Sequence, residues 1–156
     1  MSELRPEETI EELLELLVDA LGLDAEIAVR REDDTITGAL VGDDLGLFIG
    51  RHGQTIDAVQ HLAQRIVFRS HPPRESDLRV VIDAAGYRDR RASALRRQAD
   101  EAADEALRYD RAVSLDAMVA SERKVVHEHL RERGDVETYS EGQEPERHLV
   151  VAPLKD

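Results

Sequence analysis

Two glycines separated by two residues, Gly50 and Gly53, constrain the fold of this chain more than any other feature of its sequence. Apolar residues lead into the pair and an amphipathic pattern leads out of it, in the stretch Ile49-Gly50-Arg51-His52-Gly53-Gln54-Thr55-Ile56. Because glycine has no Cβ atom, such a loop lets a nucleic-acid backbone approach the polypeptide closely. A tight turn between two helices also needs glycine, and this alternative stays open at the level of sequence.

Hydrophobic periodicity around the loop predicts the order helix, strand, strand, helix, glycine loop, helix, strand. The predicted helices are Pro6–Leu21, Asp44–Ile49 and Gln54–Arg69, and the predicted strands are Ala25–Arg31, Thr35–Val41 and Leu78–Ala84. We expect the carboxylates of Asp43 and Asp44 to cap the short second helix. The helix after the loop is expected to bury its apolar residues, which are Ile56, Val59, Leu62, Ala63 and Ile66.

This element order, together with the pattern Ile-Gly-x-x-Gly-x-x-Ile, resembles the prokaryotic, type II arrangement of the KH domain (αββααβ). KH domains clamp about four nucleotides of RNA with such a loop. In that family an apolar groove beside the loop holds the bases, while loop amides and side chains meet the phosphates. The resemblance therefore implies an RNA contact formed by Ile49, Gly50, Arg51, His52, Gly53 and Gln54.

A long helix is predicted at Tyr87–Tyr109, a stretch rich in alanine and arginine. Its apolar stripe is narrow and made of small residues, and its first half carries the arginines Arg88, Arg90, Arg91, Arg96 and Arg97. Two interpretations stay open: a solvated connecting helix that packs lightly on its neighbours, and a basic ridge that extends an RNA-binding track. The first is favoured because arginines are common on exposed helix faces.

The remainder of the chain predicts a second small unit. Its predicted elements are a strand at Ala112–Leu115, a helix at Asp116–Arg133, and a hairpin of Val136–Ser140 and His148–Ala152. Gly134 is expected to end the helix, and the residues between the two hairpin strands have the composition of a turn. Within the helix, Arg123 and His127 are four residues apart and therefore share one face.

The spacing of Arg123 and His127 resembles the small R-3-H domain, which is named for an arginine and a histidine separated by three residues and binds single-stranded nucleic acids. The hairpin also resembles that domain through its Ser-x-Gly-x-x-Pro-x-Arg pattern. The resemblance implies nucleic-acid contacts from Arg123, Lys124, His127 and Arg147. The alternative is a surface arginine paired with Glu122 or Glu128, beside a half-buried structural histidine.

A type II KH domain followed by an R-3-H domain is the layout of the Jag family of bacterial SpoIIIJ-associated proteins, which this sequence resembles from about residue 7 to residue 154. The resemblance implies an α/β (α+β) fold with a KH domain at 1–85, a connecting helix at 86–110 and an R-3-H-like domain at 111–156. It also implies binding of single-stranded RNA, an influence on envelope growth or division, and pairing with a small KH-only protein. Many members carry a further N-terminal domain, for which this sequence shows no counterpart.

The formal net charge of −13 argues against strong non-specific binding of nucleic acid, because it repels phosphates. The acidity is concentrated at the start of the chain: residues 1–35 carry 12 acidic and 3 basic side chains, whereas residues 36–85 carry 6 and 5. Screening limits the reach of these charges to about 8 Å at physiological salt. The nearly neutral segment around the glycine loop can therefore still bind RNA.

Composition and spacing exclude other classes of function. The chain has no cysteine, so it has no disulfides or thiolate metal sites, and no apolar run reaches the ~20 residues of a membrane span. The glycine loop lacks the lysine and the spacing of a P-loop. His127 and His129 are two apart on a helix, about 200° around its axis, so they cannot share one metal ion.

The sequence thus predicts a non-catalytic, cytoplasmic regulator that binds single-stranded RNA and uses no cofactor or metal. Two alternatives stay open. One is a protein-interaction adaptor whose KH surface and acidic first helix dock a basic protein partner. The other is a ribosome-associated factor, in which contacts with ribosomal proteins supplement a modest affinity for RNA.

Overall fold

The computed structural model describes residues 4–72 and 78–155. The chain divides into two compact units, Met1–Arg88 and Asp89–Asp156. Each unit contains a three-stranded sheet and a hydrophobic core formed by helices and strands together, which confirms the predicted α+β class. None of the helices within the described ranges combines the length and apolar character that crossing a membrane requires.

The first unit contains α1 (Pro6–Leu21), β1 (Glu26–Glu32), β2 (Thr35–Val41), α2 (Gly46–Ile49), a single 3₁₀ turn (Arg51–Gly53), α3 (Gln54–Ser70) and β3 (Arg79–Ala84). β1 and β2 pair in antiparallel orientation, and β3 pairs with β2 in parallel, so the sheet order is β1-β2-β3. A parallel pair needs a long crossover between its strands. The two helices that flank the glycine loop supply that crossover, as the predicted αββααβ order requires.

Helices α1 and α3 bury their apolar stripes in the core of the first unit. Ile10 and Leu14 of α1 are fully buried, and both lie over Gly38 of β2. A Cβ atom on Gly38 would come within 2.8 Å of Ile10 Cγ2 and 2.9 Å of Leu14 Cδ1, so the glycine allows α1 to approach the strand closely. Burying one such side chain stabilises the fold by roughly 1.5–3 kcal/mol.

The second unit begins within α4 (Tyr87–Tyr109) and continues with β4 (Val113–Ser114), α5 (Ala120–Arg131), β5 (Val136–Glu141) and β6 (His148–Pro153). Its sheet order is β4-β6-β5, and both strand pairs are antiparallel. One core contains the buried residues Leu95, Ala99, Ala102, Ala103, Met118, Val126, Leu130, Val136, Leu149 and Val151. The small-residue stripe of α4 is therefore part of this core, and the interpretation of α4 as a lightly packed connecting helix is wrong.

Most predicted elements are confirmed, and α1, β2 and α4 have the predicted bounds. The short second helix is a correction: it begins at Gly46, and its N-cap, Leu45, makes no side-chain cap hydrogen bond. Asp44 adopts a left-handed conformation with φ of +57°. This residue lies outside the helix, so the predicted carboxylate cap does not form.

Two further corrections concern the faces and ends of helices. On α3, Leu62 is exposed, whereas Val67 is fully buried. The buried face follows positions 56, 59, 63 and 67, and at about 100° per residue Leu62 lies well to the side of that face. The helix predicted from Asp116 begins at Ala120, so Met118 enters the core from the segment that precedes α5.

Candidate nucleic-acid interface

The glycine loop joins α2 to α3 through backbone conformations that residues with a side chain rarely adopt. Gly50 has φ of +74°, Gly53 has φ of +76°, and His52 between them has φ of +53°. The Gly53 N–H donates to the Gly50 carbonyl at 3.3 Å. The loop is therefore a tight turn between two helices.

Internal packing also requires glycine at both positions. A Cβ atom on Gly50 would lie 2.8 Å from Thr55 Cβ and 2.9 Å from the Thr55 nitrogen, and it would overlap the Thr55 hydroxyl. A Cβ atom on Gly53 would lie 2.5 Å from the Tyr87 hydroxyl oxygen. The turn alone accounts for both glycines, and a direct role of their backbone in ligand binding stays a prediction.

The predicted loop residues differ in exposure: Ile49 and Gly50 are half-buried, Gly53 is buried, and the exposed residues are Arg51, His52 and Gln54. Helix α3 starts directly after them, with Gly53 as an N-cap that provides no side-chain hydrogen bond. The first turn of a helix carries unsatisfied N–H groups and a positive partial charge. The exposed arginine and the N–H groups of this helix end thus lie next to each other, an arrangement that suits a phosphate.

Leu47 of α2 is an exposed apolar residue that the sequence interpretation missed. It is 62% exposed, whereas its neighbour Phe48 is fully buried. One signal could have found it: adjacent helical residues point about 100° apart, so only one of the two can face the core. Leu47 therefore adds apolar surface three residues before Gly50, and apolar surface is what a base contact needs.

In the second unit, α5 and β5 bring together three of the four predicted residues. Arg123, Lys124 and His127 line an open groove of about 380 Å³. The residues that form the groove are Ala120, Arg123, Lys124, His127, Thr138, Tyr139, Ser140 and Leu149. His127 Nδ1 and the Thr138 hydroxyl are hydrogen-bonded, which orients the imidazole against β5. The fourth residue, Arg147, does not line the groove; its Nη1 donates to the Gly142 carbonyl at 2.7 Å and braces the hairpin loop.

Arg123 is largely buried and already has partners within the protein. Its Nη1 donates to the Met118 carbonyl at 2.7 Å. Its Nη2 lies 2.8 Å from Glu144 Oε1, and the arginine side chain is 11% exposed while the glutamate is 57% exposed. A phosphate could therefore bind this Nη2 group only in competition with the Glu144 carboxylate.

The pairing considered as an alternative for the motif is wrong. Glu122 pairs with Arg91 at 2.8 Å, and Glu128 lies 3.9 Å from Lys124, so neither carboxylate engages the arginine of the motif. His127 is exposed rather than half-buried. The sequence interpretation also missed the Tyr139 ring, whose position in a strand opposite the motif helix is a usable signal for an aromatic contact with a base.

A separate polar network ties α4 to α5 in the second unit. His129 Nε2 lies 3.0 Å from Asp100 Oδ2, and Arg133 pairs with Asp100, Asp104 and Asp135 at 3.4, 2.9 and 3.1 Å. The hydrogen bond with His129, and then Arg133, lowers the pKa of Asp100 below its ordinary value. Within residues 4–72 and 78–155, no three carboxylate or imidazole side chains are placed to share a metal ion.

Two family models match this chain. The KH domain of the KhpA/KhpB type matches residues 7–84, and the R-3-H domain matches residues 93–153. The second match begins inside α4, in agreement with the part that this helix takes in the core of the second unit. The chain belongs to the KhpB (Jag) family. Both matched families are non-catalytic binding domains.

Several bacterial KhpB proteins are similar to this chain along most of its length, and each is named RNA-binding protein KhpB. The protein from Clostridium symbiosum is 36% identical over 144 residues, which cover 90% of this chain and 63% of that relative. The protein from Lactiplantibacillus plantarum is 40% identical over a stretch that covers 89% of this chain and 42% of that relative. The Bacillus subtilis protein is 30% identical over a stretch that covers 89% of this chain and 66% of that relative. The chain thus spans less than two thirds of the length of these KhpB relatives.

Proposed function

We propose that this KhpB-family chain binds single-stranded RNA and acts as a regulator without catalysis. The observation that carries the proposal is the exposed pair Arg51 and His52, held in the tight turn between Gly50 and Gly53 at the start of α3. Membership of the family adds to it, because the similar proteins are named RNA-binding proteins. The predicted domain limits 1–85, 86–110 and 111–156 stay a prediction, and the proposal uses the two compact units, Met1–Arg88 and Asp89–Asp156, as its division of the chain.

In the first unit the loop supplies the phosphate contacts. Arg51 and His52 project from the turn, and Gln54 is exposed at the first position of α3. Arginine donates hydrogen bonds in a fork that matches phosphate oxygens. The half-buried Ile49 and the exposed Leu47 provide the apolar surface on which bases rest.

In the second unit, the groove between α5 and β5 supplies a further contact with single-stranded RNA. Lys124 and His127 meet the phosphate backbone, and the Tyr139 ring stacks on a base; such stacking is worth about 1–3 kcal/mol per base. Arg123 contributes once a phosphate displaces Glu144 from its Nη2 group. Arg147 acts indirectly, since it holds the hairpin loop that carries Glu144.

The physiological setting that we propose is cytoplasmic, with an influence on envelope growth or division. A small KH-only protein and the ribosome are the proposed partners beyond RNA. These assignments rest on the family resemblance.

A protein-interaction adaptor is the second candidate function, and one observation favours it. Leu16 on the outer face of α1 is 65% exposed, and Glu12, Glu15 and Asp19 surround it at helical spacing and are also exposed. An exposed leucine among carboxylates fits a partner with basic and apolar side chains. An adaptor of this kind would bind its partner whether or not RNA is present.

A salt titration of RNA binding tests the proposed function. Glycine substitutions would disturb the packing against Thr55 and Tyr87, so the better variant is the double substitution Arg51→Ala/His52→Ala. The matched control is Arg30→Ala/His61→Ala, because these side chains of the same unit are also exposed. Affinity for a labelled pool of mixed single-stranded RNA is measured by fluorescence anisotropy at several salt concentrations.

We expect the wild-type affinity to fall with added salt, since each phosphate contact contributes a slope of about −0.7 in log K against log salt. The loop variant should bind roughly tenfold more weakly, the loss of one charge-assisted hydrogen bond, and its slope should be shallower. The control should bind like wild type. Wild-type protein that does not bind RNA, or a loop variant whose RNA affinity equals that of the control, would contradict the proposal and favour the adaptor.

A further inference from the structure

The side chain of Arg88 joins three segments of the first unit. Its Nε donates to the Ile82 carbonyl at 2.8 Å, its Nη1 to Asp57 Oδ1 at 2.9 Å, and its Nη2 to Gln60 Oε1 at 2.9 Å. Gln60 Oε1 also accepts the Ile82 N–H at 3.0 Å, while the backbone N–H of Arg88 donates to Asp83 Oδ1 at 3.2 Å. One guanidinium therefore connects the end of β3, the first two turns of α3 and the start of α4.

Through Asp57, this network affects the charge next to the glycine loop. Asp57 is the acidic residue in the first turn of α3, directly after the loop. An uncompensated carboxylate there would repel a phosphate, because exposed charges act over about 8 Å at physiological salt. The Arg88 side chain supplies the opposite charge at 2.9 Å, and the two side chains keep 30% and 39% exposure. A ligand at the loop would therefore be affected by either charge.

Tyr87, the residue before Arg88, packs against the loop itself. Its hydroxyl oxygen and its Cε1 atom would lie 2.5 Å and 2.8 Å from a Cβ atom on Gly53. The ring also packs against the core of the first unit. Two consecutive residues of α4 thus support the loop: one packs against Gly53, and the other neutralises the carboxylate at the start of α3.

From these contacts, and resting on the RNA-binding function proposed above, we propose that Arg88 is a positioning residue for the glycine loop. It holds the first turns of α3 against β3, and it compensates the charge of Asp57 so that the loop accepts a phosphate. Arg88 acts through Asp57 and does not itself contact the RNA. This assignment differs from a basic ridge on α4, in which Arg88 would bind a phosphate directly.

A double-mutant cycle in the full chain separates these roles. The variants are Arg88→Met, Asp57→Asn and the double substitution, and the matched control is Arg79→Met. Arg79 is exposed at the opposite end of β3, so its substitution removes the same charge away from the loop. Asp57→Asn removes the negative charge while it keeps an oxygen that can accept the hydrogen bond from Arg88.

Binding of the labelled single-stranded RNA pool is measured by anisotropy, and folding by thermal unfolding. We expect Arg88→Met to weaken binding about fivefold relative to Arg79→Met, and Asp57→Asn to tighten it about twofold, as for charges at a partly exposed site. The double variant should return to within about twofold of wild type. A spectrum of the glycine amides should show that Arg88→Met also shifts the Gly53 signal.

Each other outcome has a definite meaning. A double variant as weak as Arg88→Met overturns charge compensation, and Arg88→Met that matches Arg79→Met overturns the positioning role. If Arg88→Met fails to fold, Asp57→Asn still decides, because binding that does not tighten overturns the inference. Wild-type protein that fails to bind RNA defeats the proposed function and the inference with it, whereas a failure confined to the variants leaves RNA binding intact.

Discussion

At the scale of single residues, the glycine loop shows how one position can serve packing and binding together. Gly53 turns the backbone at φ of +76° and leaves room for the Tyr87 ring. A bulky or charged substitution there removes both properties, so a loss of RNA binding in such a variant could result from a displaced loop. The exposed side chains Arg51 and His52 are therefore the informative positions for binding, and the glycines are the informative positions for stability.

A comparison of two glycines measures the packing requirement. Gly53 and Gly22 both have positive φ, +76° and +65°, but a Cβ atom on Gly22 would meet nothing within 4 Å. Gly22→Ala should cost about 1 kcal/mol from backbone strain alone, whereas Gly53→Ala should cost a further 1–3 kcal/mol, roughly, from overpacking against Tyr87. Urea unfolding of both variants gives the two free energies. Equal losses would show that the Tyr87 ring moves aside without cost.

Glu144 is the residue through which the RNA affinity of the groove between α5 and β5 can be changed. Its carboxylate occupies Nη2 of Arg123 at 2.8 Å and is largely exposed. Because this carboxylate competes with a phosphate for the guanidinium, Glu144→Gln removes the competing charge and should raise RNA affinity roughly twofold to fivefold. Glu137→Gln, an exposed glutamate on β5, is the charge-matched control in the same anisotropy assay. Weaker binding of Glu144→Gln would mean that the ion pair orders the groove instead of competing for it.

At the scale of elements, sequence periodicity predicts what depends on local pattern. Helix α1 has a full apolar stripe and a glycine after its last turn, and its bounds are as predicted. The stripe of α4 consists mostly of alanines, each of which buries little area but lets helices approach closely. Whether such a stripe lies in a core therefore depends on the other elements that pack against it, which the local sequence does not reveal. Pairs such as Arg88 with Asp57 or Arg123 with Glu144 are far apart in sequence and carry no local signal.

The contact between α4 and α5 should depend on pH through Asp100. Its pKa is lowered by His129 and Arg133, so the stabilisation is present above the pKa of the unfolded chain, about 3.9. It is lost as the pH falls through the lowered value of the folded state. Asp100→Asn should therefore lower the Tm at pH 7, and its difference from wild type should begin to shrink near pH 4 and close as the pH falls through the lowered pKa of Asp100. Asp116→Asn is the control, and a difference that persists at low pH would contradict this account.

At the scale of the whole molecule, the two compact units determine how the chain can be divided. The predicted second domain, 111–156, leaves out α4, but α4 places Leu95, Ala99, Ala102 and Ala103 in the core of the second unit. The compact unit begins at Asp89, and the R-3-H match begins at residue 93. The first unit likewise extends to Arg88 and thus includes the two residues that support the glycine loop.

Two fragments test this division. The fragment 89–156 retains the whole core of the second unit, so it should show cooperative thermal unfolding by circular dichroism and a dispersed amide spectrum. The fragment 111–156 lacks the helix that covers Val126 and Leu130. Chains this short, near the size of about 40 residues, rarely fold without disulfides or metals, and it has no cysteine. We expect it to be unfolded. Cooperative unfolding of 111–156 would instead support the shorter domain, with α4 as a separable connector.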